Sequence, residues 1–163
     1  MKKHAFTLTE LLVVIAIIVI LAGMVIGGMG YASRRADDAR TQMALQTLTK
    51  GLEQFRSERG FFPPCPEAQE VKFLRDDDGH LKLKLGNAEY KFYDKQNKKD
   101  YIQLENLETT ETTFDDAWDN AFRYKCAGDH NSKGFDLWSY GPDGKSSTDD
   151  EQVDDVTNWS VAP

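Results

Sequence analysis

Residues 6–15 read FTLTELLVVI, and the chain stays apolar from there to Tyr31. No charged side chain occurs between Leu11 and Tyr31. A helix over this run is about 30 Å long at about 1.5 Å per residue, which matches the hydrocarbon core of a bilayer. One carboxylate, Glu10, lies at the start of the run. The stretch therefore predicts a membrane-spanning helix with an acidic residue where a simple anchor would have none.

The leader before this stretch, residues 1–5, is short and basic. A secretory signal peptide has a shorter apolar region, which is followed by a cleavage site between small residues. Here the apolar run is longer and helix-forming sequence continues beyond it, so we expect the helix to be retained. The two lysines of the leader favour a cytoplasmic N-terminus, although Arg34 and Arg35 at the far end weaken that bias.

Beyond the apolar run the hydrophobic pattern becomes that of an amphipathic helix. Leu45, Leu48, Leu52 and Phe55 recur at helical spacing among polar residues, which predicts one stripe packed on a globular domain. Gly60 is expected to end the helix. The glycines of the apolar run leave two alternatives open, local unwinding or close packing against other helices; they are Gly23, Gly27, Gly28 and Gly30.

Composition limits the class of protein. The chain has 163 residues, which is enough for one anchor helix and one modest domain. Its formal net charge of −7 argues against a nucleic-acid partner. Cys65 and Cys126 are the two cysteines. In an oxidising compartment they predict one disulfide, and the alternative is two free buried thiols. The histidines show no zinc-like spacing, and no nucleophile–base pattern or phosphate loop is present. We therefore predict no catalysis.

The first fifteen residues resemble the class III signal of type IV pilins and pseudopilins. The resemblance implies that prepilin peptidase cuts between Ala5 and Phe6 on the cytoplasmic side and N-methylates Phe6. That family usually has Gly before the cut, where this chain has Ala5. It further implies that Glu10 pairs with the terminal amine of a neighbouring subunit, which would offset the cost of burying a carboxylate in apolar surroundings. The alternative is an interfacial Glu10 that reaches the lipid headgroups.

The C-terminal third contains a second set of motifs. Residues 116–124, DAWDNAFRY, resemble the DPWGNPY segment of major pseudopilins, with Ala117, Asp119 and Ala121 in place of Pro, Gly and Pro. Residues 123–126 and 135–140 predict a hairpin. In the middle of the chain, short strands are predicted near residues 71–74, 81–85 and 90–93, with a turn at residues 76–79.

An acidic loop follows the hairpin. Between Asp136 and Asp155, acidic residues far outnumber the single base Lys145, so the folded loop needs counter-charge. Calcium would supply it through carboxylate and carbonyl oxygens. The spacing does not fit an EF-hand, because Lys145 and Thr148 occupy positions that need an oxygen ligand and Gly. The alternative is a solvated acidic tail.

The loop does resemble that of the major (G-type) pseudopilins of type II secretion, which have a DLWSxGxDG run and a DIxNW end. Here these read DLWSYGPDG at residues 136–144 and DVTNW at residues 155–159. The resemblance implies a bound Ca²⁺. The implied ligands are Asp143, Asp149, Asp150 and Asp155 through side chains, and Tyr140 and Val153 through carbonyls.

Together these patterns predict an α+β, type IV pilin-like fold, in which a long N-terminal helix packs on a small antiparallel sheet domain. The expected divisions are a leader at 1–5, a transmembrane and fibre-core half-helix at 6–31, an amphipathic half at 32–60, and a globular β-rich domain at 61–163 with its calcium loop at 136–159.

The resemblance implies a structural subunit of a helical pseudopilus that acts in type II protein secretion. Such a subunit spans the bacterial inner membrane once, with its globular domain in the periplasm or outside, and then joins a homopolymeric filament. Its expected partners are prepilin peptidase, minor pseudopilins and the inner-membrane assembly platform. The alternatives are a type IV pilus subunit and a membrane-anchored calcium-binding protein that does not polymerise.

Overall fold

The structure is a computed structural model. It describes residues 7–102, 113–146 and 154–159, with the backbone alone for residues 25–32. The chain divides into two compact units, Met1–Ala36 and Asp37–Pro163.

One helix, α1, extends over Leu8–Arg59. Its backbone is helical through all four glycines of the apolar run, so the unwinding alternative is not the conformation seen here. Gly60 ends it as predicted: this residue has φ of +83°, and its N–H donates to the Arg56 carbonyl at 2.7 Å. No helix among the described residues combines the length and apolar character needed to cross a membrane. The membrane span at residues 6–31 stays a prediction.

Within the residues that the structure describes, ten short strands follow α1. Those predicted near residues 71–74 and 81–85, and the hairpin at 123–126 and 135–140, are confirmed, whereas the sequence did not predict the first strand. The strands are β1 (Cys65–Glu70), β2 (Lys72–Arg75), β3 (Leu81–Leu85), β4 (Ala88–Lys91), β5 (Tyr93–Asp94), β6 (Lys99–Asp100), β7 (Thr113–Phe114), β8 (Arg123–Cys126), β9 (Asp136–Ser139) and β10 (Val156–Thr157).

The strands form two four-stranded sheets and a small ribbon, and every pairing is antiparallel. The first sheet has the order β1-β8-β9-β10, the second β4-β3-β2-β7, and β5 pairs with β6. The first sheet therefore brings the end of the chain beside the hairpin of β8 and β9.

The core of the second unit lies between the C-terminal half of α1 and the sheets. The predicted stripe is buried, with Leu48 and Leu52 fully inaccessible. Phe55 makes ring contacts with Phe92 at 5.4 Å between centroids and with Tyr101 at 6.2 Å. The expected α+β architecture, a long helix with antiparallel sheets, is therefore confirmed.

Candidate functional site

The acidic loop leaves and re-enters the first sheet on adjacent strands. β9 and β10 pair in antiparallel register, with Ser139 opposite Val156. Tyr140 follows β9 and Asp155 precedes β10, so they begin the outgoing and end the returning arm of the loop. The pairing brings the two residues together, and we call this part of the loop, residues 140–144 and 154–155, its neck. A predicted carbonyl ligand and a predicted carboxylate ligand thus reach the same end of the sheet.

Asn158 fastens the returning arm to β9. Its Oδ1 accepts the N–H of Leu137 at 3.0 Å, and its own N–H donates to the Leu137 carbonyl at 3.0 Å. Its side-chain amide also donates to the Phe135 carbonyl at 3.2 Å. Next to it, the Trp159 ring stacks on His130, with centroids 4.2 Å apart. The NW end of the motif therefore closes the loop.

The neck turns through a short 3₁₀ helix at Gly141–Asp143. Gly141 has φ of +68°, and a Cβ there would lie 2.4 Å from the carbonyl oxygen of Asp154, so only glycine allows the two arms to approach this closely. The exposed Asp143 accepts the N–H of Lys145 through Oδ1 at 2.8 Å. This bond fixes the direction of the Asp143 carboxylate at the neck.

A buried carboxylate, Asp116, ties the neck to the segment before β8. Its Oδ1 accepts the backbone N–H groups of Trp118 at 2.9 Å and Asn120 at 2.8 Å. Its Oδ2 accepts the hydroxyl of Ser139, which is fully buried and itself accepts the N–H of Gly141 at 2.9 Å. Hydrogen bonds to a charged group are stronger than neutral ones. Asp116 therefore holds together two segments that are distant in sequence, residues 116–120 and the end of β9.

Asn120 adds a second connection between the same segments. Its side-chain amide donates to the Gly141 carbonyl at 3.0 Å. Both backbone polar groups of Gly141 are thus occupied, the N–H by Ser139 and the carbonyl by Asn120. The conformation of the first turn of the loop is fixed from outside the loop.

The substitutions in the DAWDN segment have structural consequences. Asp119 stands where the related segment has Gly, and its φ is +64°, the left-handed conformation that Gly adopts at least cost. Ala117 replaces a Pro, and its N–H donates to Thr41 Oγ1 at 3.1 Å. Proline has no N–H and could not make this bond. Thr41 is buried on α1, so this chain has a link from α1 to the segment that supports the loop.

Asp136, the first acid of the loop motif, is already satisfied within the fold. Its carboxylate accepts the backbone N–H groups of His130 and Asn131, both at 2.9 Å, and lies 3.3 Å from His130 Nδ1. Burial alone would raise the pKa of Asp136, but these hydrogen bonds outweigh it and hold the pKa below its usual value. We therefore assign this carboxylate a structural role.

The predicted metal ligands are only partly described. Tyr140, Asp143 and Asp155 lie at the neck, whereas Asp149, Asp150 and Val153 lie outside the described residues. Within the described part of the chain, no three His, Cys, Asp or Glu side chains come close enough together to hold a metal ion. The donors at the neck, a carbonyl and carboxylates, are the oxygen ligands that calcium prefers. The residues present fit calcium, and the site stays a prediction.

At the other end of the chain, Ala5 and Phe6 lie outside the described residues. Glu10 forms a capping box with Thr7 at the start of α1. The N–H and hydroxyl of Thr7 contact Glu10 Oε2 at 2.9 and 2.7 Å, and the Glu10 N–H donates to Thr7 Oγ1 at 3.3 Å. In the single subunit the Glu10 carboxylate therefore has a partner within its own chain.

Sequence reasoning overlooked the residues that support the loop: Thr41, Asp116, Asn120 and Ser139. Three of them stand inside the two motifs and could have been identified there. Thr41 occurs four residues before Leu45, so it continues the buried stripe as a polar residue, which predicts a buried hydrogen bond without naming its partner.

The long N-terminal helix, the antiparallel sheets and the fastened C-terminal loop define a type IV pilin-like protein. A model of the prokaryotic N-terminal methylation motif matches residues 1–26, and a model of type II secretion system (T2SS) protein G matches residues 29–159. The chain belongs to the type II secretion system protein G family, and it is a pseudopilin of type II secretion.

Curated relatives match over almost the whole chain. Type II secretion system core protein G of Escherichia coli K12 is 27% identical over 161 residues, covering 99% of this chain and 94% of the relative. The protein of the same name from Pseudomonas aeruginosa PAO1 is 28% identical over 162 residues, with 97% and 96% covered. That of Vibrio cholerae serotype O1 is 24% identical over 160 residues, with 98% and 94% covered. No solved structure matches the chain significantly.

Proposed function

We propose that the chain is the main structural subunit of a helical pseudopilus and that it has no catalytic activity. Prepilin peptidase cuts it between Ala5 and Phe6 and methylates the new terminus. The subunit then leaves the inner membrane and polymerises at the assembly platform together with minor pseudopilins. The observation that carries this proposal is that α1 begins at Leu8, inside the methylation motif, and ends at Arg59, inside the protein G match.

The exposed surface of α1 supports the proposal. Every described side chain from Thr7 to Met24 is exposed in the single chain, including Leu12 at 61% and Val19 at 64%. An apolar surface of this extent needs cover, since contiguous exposed apolar patches mark interaction or membrane surfaces. Lipid would provide that cover before assembly, and α1 helices of neighbouring subunits would provide it in the filament. The globular unit then faces the periplasm.

Intact mass spectrometry tests the processing step. Co-expression with a prepilin peptidase should yield a chain that lacks residues 1–5 and carries one methyl group on Phe6. The same chain with Ala5→Gly should be processed at least as fast, because the family usually has Gly before the cut. A wild-type chain that keeps its leader, while the Gly variant is cut, would contradict processing at Ala5.

We further propose that Glu10 selects the register of assembly. In the filament its carboxylate pairs with the Phe6 amine of a neighbour, and the bonds to Thr7 satisfy it until then. Glu10→Val and Glu10→Gln should both insert into membranes but sediment mainly as unassembled protein. Glutamine keeps the shape and an acceptor for Thr7 without the charge. Normal assembly of the Gln variant would contradict the charge pairing.

The acidic loop is proposed to bind one Ca²⁺. Asp143 and the Tyr140 carbonyl would serve as ligands at the neck, with Asp149, Asp150, the Val153 carbonyl and Asp155 as the further candidates. When bound, the ion neutralises the mutual repulsion of these carboxylates.

Thermal unfolding with and without a chelator tests the calcium site. The chelator should lower the melting temperature of the wild type, and Asp143→Ala should remove that difference. The exposed Asp77 in the turn after β2 provides a matched control, since Asp77→Ala makes the same change in charge away from the loop. A chelator effect that survives in Asp143→Ala would refute Asp143 as a ligand.

A further inference from the structure

Cys65 and Cys126 lie opposite each other on neighbouring strands. Cys65 begins β1, Cys126 ends β8, and the antiparallel register makes them direct partners. Opposite residues of antiparallel strands have Cα atoms about 4.5 or 5.5 Å apart. A disulfide accepts Cα separations of about 4.4–6.8 Å, so either spacing suits one. We propose that Cys65 and Cys126 form an intrachain disulfide, which rests on the proposed function only for its oxidising compartment.

The two thiols have weak partners that a disulfide can replace. Cys65 is fully buried; its Sγ lies 3.0 Å from the Glu67 carbonyl and accepts the Gln69 side-chain amide at 3.2 Å. Cys126 is partly exposed, and its Sγ lies 3.5 Å from the Gly134 carbonyl. Thiols are weak donors and acceptors, so giving up these contacts opposes the bond only slightly. Both are free thiols in the structure.

The disulfide would cross a gap in the strand pairing. From Cys65 to Gln69, β1 advances four residues, while β8 advances two, from Cys126 to Tyr124. The extra residues of β1 disturb the ladder where the chain arrives from α1. A side-chain hydrogen bond, from the Tyr124 hydroxyl to the Pro63 carbonyl at 2.9 Å, fastens this end of β1. A covalent link here would therefore hold a segment that the backbone pairs poorly.

Unequal exposure sets the order of the reaction. The oxidant is a disulfide, either a thiol–disulfide oxidoreductase or oxidised glutathione. The accessible Cys126 thiolate attacks it, forms a mixed disulfide and releases one oxidant thiolate. The Cys65 thiolate then attacks the Cys126 sulfur, forms the protein disulfide and expels the second oxidant thiolate. Two protein thiols thus lose two electrons and two protons, and the oxidant is reduced to two thiols.

The rate of the first step should depend on pH. Burial, together with the neighbouring Cys65, raises the pKa of the Cys126 thiol above its usual value, and these effects outweigh the Tyr124 side chain and the Arg56 charge, which act to lower it. Because the thiolate is the reactive form, oxidation should be slow at neutral pH and faster as the pH rises.

The test uses the purified full chain, first reduced and then incubated with oxidised glutathione, with products identified by intact mass. The wild type should lose both free thiols, carry no glutathione and stay monomeric. Cys65→Ser should stop with one glutathionyl group on Cys126, whereas Cys126→Ser should stay largely unmodified because Cys65 is buried. A wild type that retains both thiols, keeps bound glutathione or forms linked dimers would overturn the proposal.

Thermal unfolding gives an independent readout. Closing the loop from Cys65 to Cys126 should raise the melting temperature by about 10 °C relative to the reduced chain. An oxidised chain with an unchanged or lower melting temperature would refute the proposed stabilising link. The experiments distinguish a failure of the Cys65–Cys126 disulfide from a failure of the proposed function. A chain that couples its thiols but forms no filament contradicts the function alone, and filaments of a chain whose thiols do not couple contradict the disulfide alone.

Discussion

Asp116→Ala is the change that most directly tests how the loop is supported. The substitution removes three hydrogen bonds to one buried carboxylate, from the N–H groups of Trp118 and Asn120 and from the hydroxyl of Ser139. Hydrogen bonds to charged groups contribute about 1.5–3 kcal/mol each. Trp118 and Asn120 are only partly buried, whereas Ser139 is fully buried, so we expect most of the loss to come from the bond to Ser139.

Asp116→Ala should therefore lose about 3 kcal/mol of unfolding free energy in total, which corresponds to a fall in melting temperature of about 10 °C. Denaturant titration of the globular unit measures it. Asp119→Asn is the matched control: Asp119 belongs to the same segment, is exposed, and Asn tolerates its positive φ. A loss below about 1 kcal/mol in Asp116→Ala, the size of an ordinary surface change, would refute the buried network.

A double-mutant cycle with Ser139→Ala separates the contact from general disruption. If the Asp116–Ser139 bond accounts for most of the loss, the double variant should lose less unfolding free energy than the two single variants lose together, by at least about 1 kcal/mol. Additive losses would show that the two residues act independently. If the loop binds Ca²⁺ as proposed, the calcium affinity of both single variants should also fall, because Asp116 and Ser139 position Gly141 at the start of the loop.

Three further predictions concern single contacts. Thr41→Val keeps the shape but leaves the Ala117 N–H without its acceptor, so denaturant titration should show a loss of about 1–2 kcal/mol; no loss would contradict the link between α1 and the loop segment. Gly141→Ala should lower the melting temperature more than Gly79→Ala, since both have positive φ but only Gly141 would clash; equal effects would refute the close approach of the arms. Asp136→Asn should lower stability at neutral pH. Because the folded pKa of Asp136 is depressed, the stability it contributes is present above the unfolded pKa of about 3.9 and is lost as pH falls further. Unfolding measured against pH should therefore show the gap between wild type and variant closing below about pH 4, and a constant gap would contradict this role.

The sequence was most informative where local pattern decides the structure. The spacing of Leu45, Leu48, Leu52 and Phe55 predicted the buried face of α1, and Gly60 predicted its end, because helix period and C-terminal conformation depend on neighbouring residues. The hairpin of β8 and β9 followed from two short strand-like segments and the turn between them, which are also local features.

Contacts between distant segments could not be read in this way. The bonds of Asp116 to Ser139 and of Thr41 to Ala117 join residues far apart in the chain, and the sequence contains the donors and acceptors without their pairing. The resemblance to major pseudopilins identified the motifs at residues 116–124 and 136–144, but it did not indicate that they are bonded to each other. It marked Ala117 and Asp119 as departures from the usual segment, and the structure shows what each residue does there.

The register of the cysteines was likewise beyond the sequence. Their number allowed a single pairing, but β1 was not predicted, and its irregular ladder with β8 decides that Cys65 and Cys126 are opposite each other. The sequence left two alternatives for these cysteines, a disulfide or two free thiols, and the glutathione experiment distinguishes them.

Electron microscopy of the processed protein in calcium tests the central claim most directly. The chain, cut before Phe6 and extracted from membranes, should assemble into thin helical filaments, and Glu10→Gln prepared in parallel should not. Wild-type protein that is fully processed and folded, yet stays dispersed as monomers under these conditions, would contradict its role as a pseudopilus subunit.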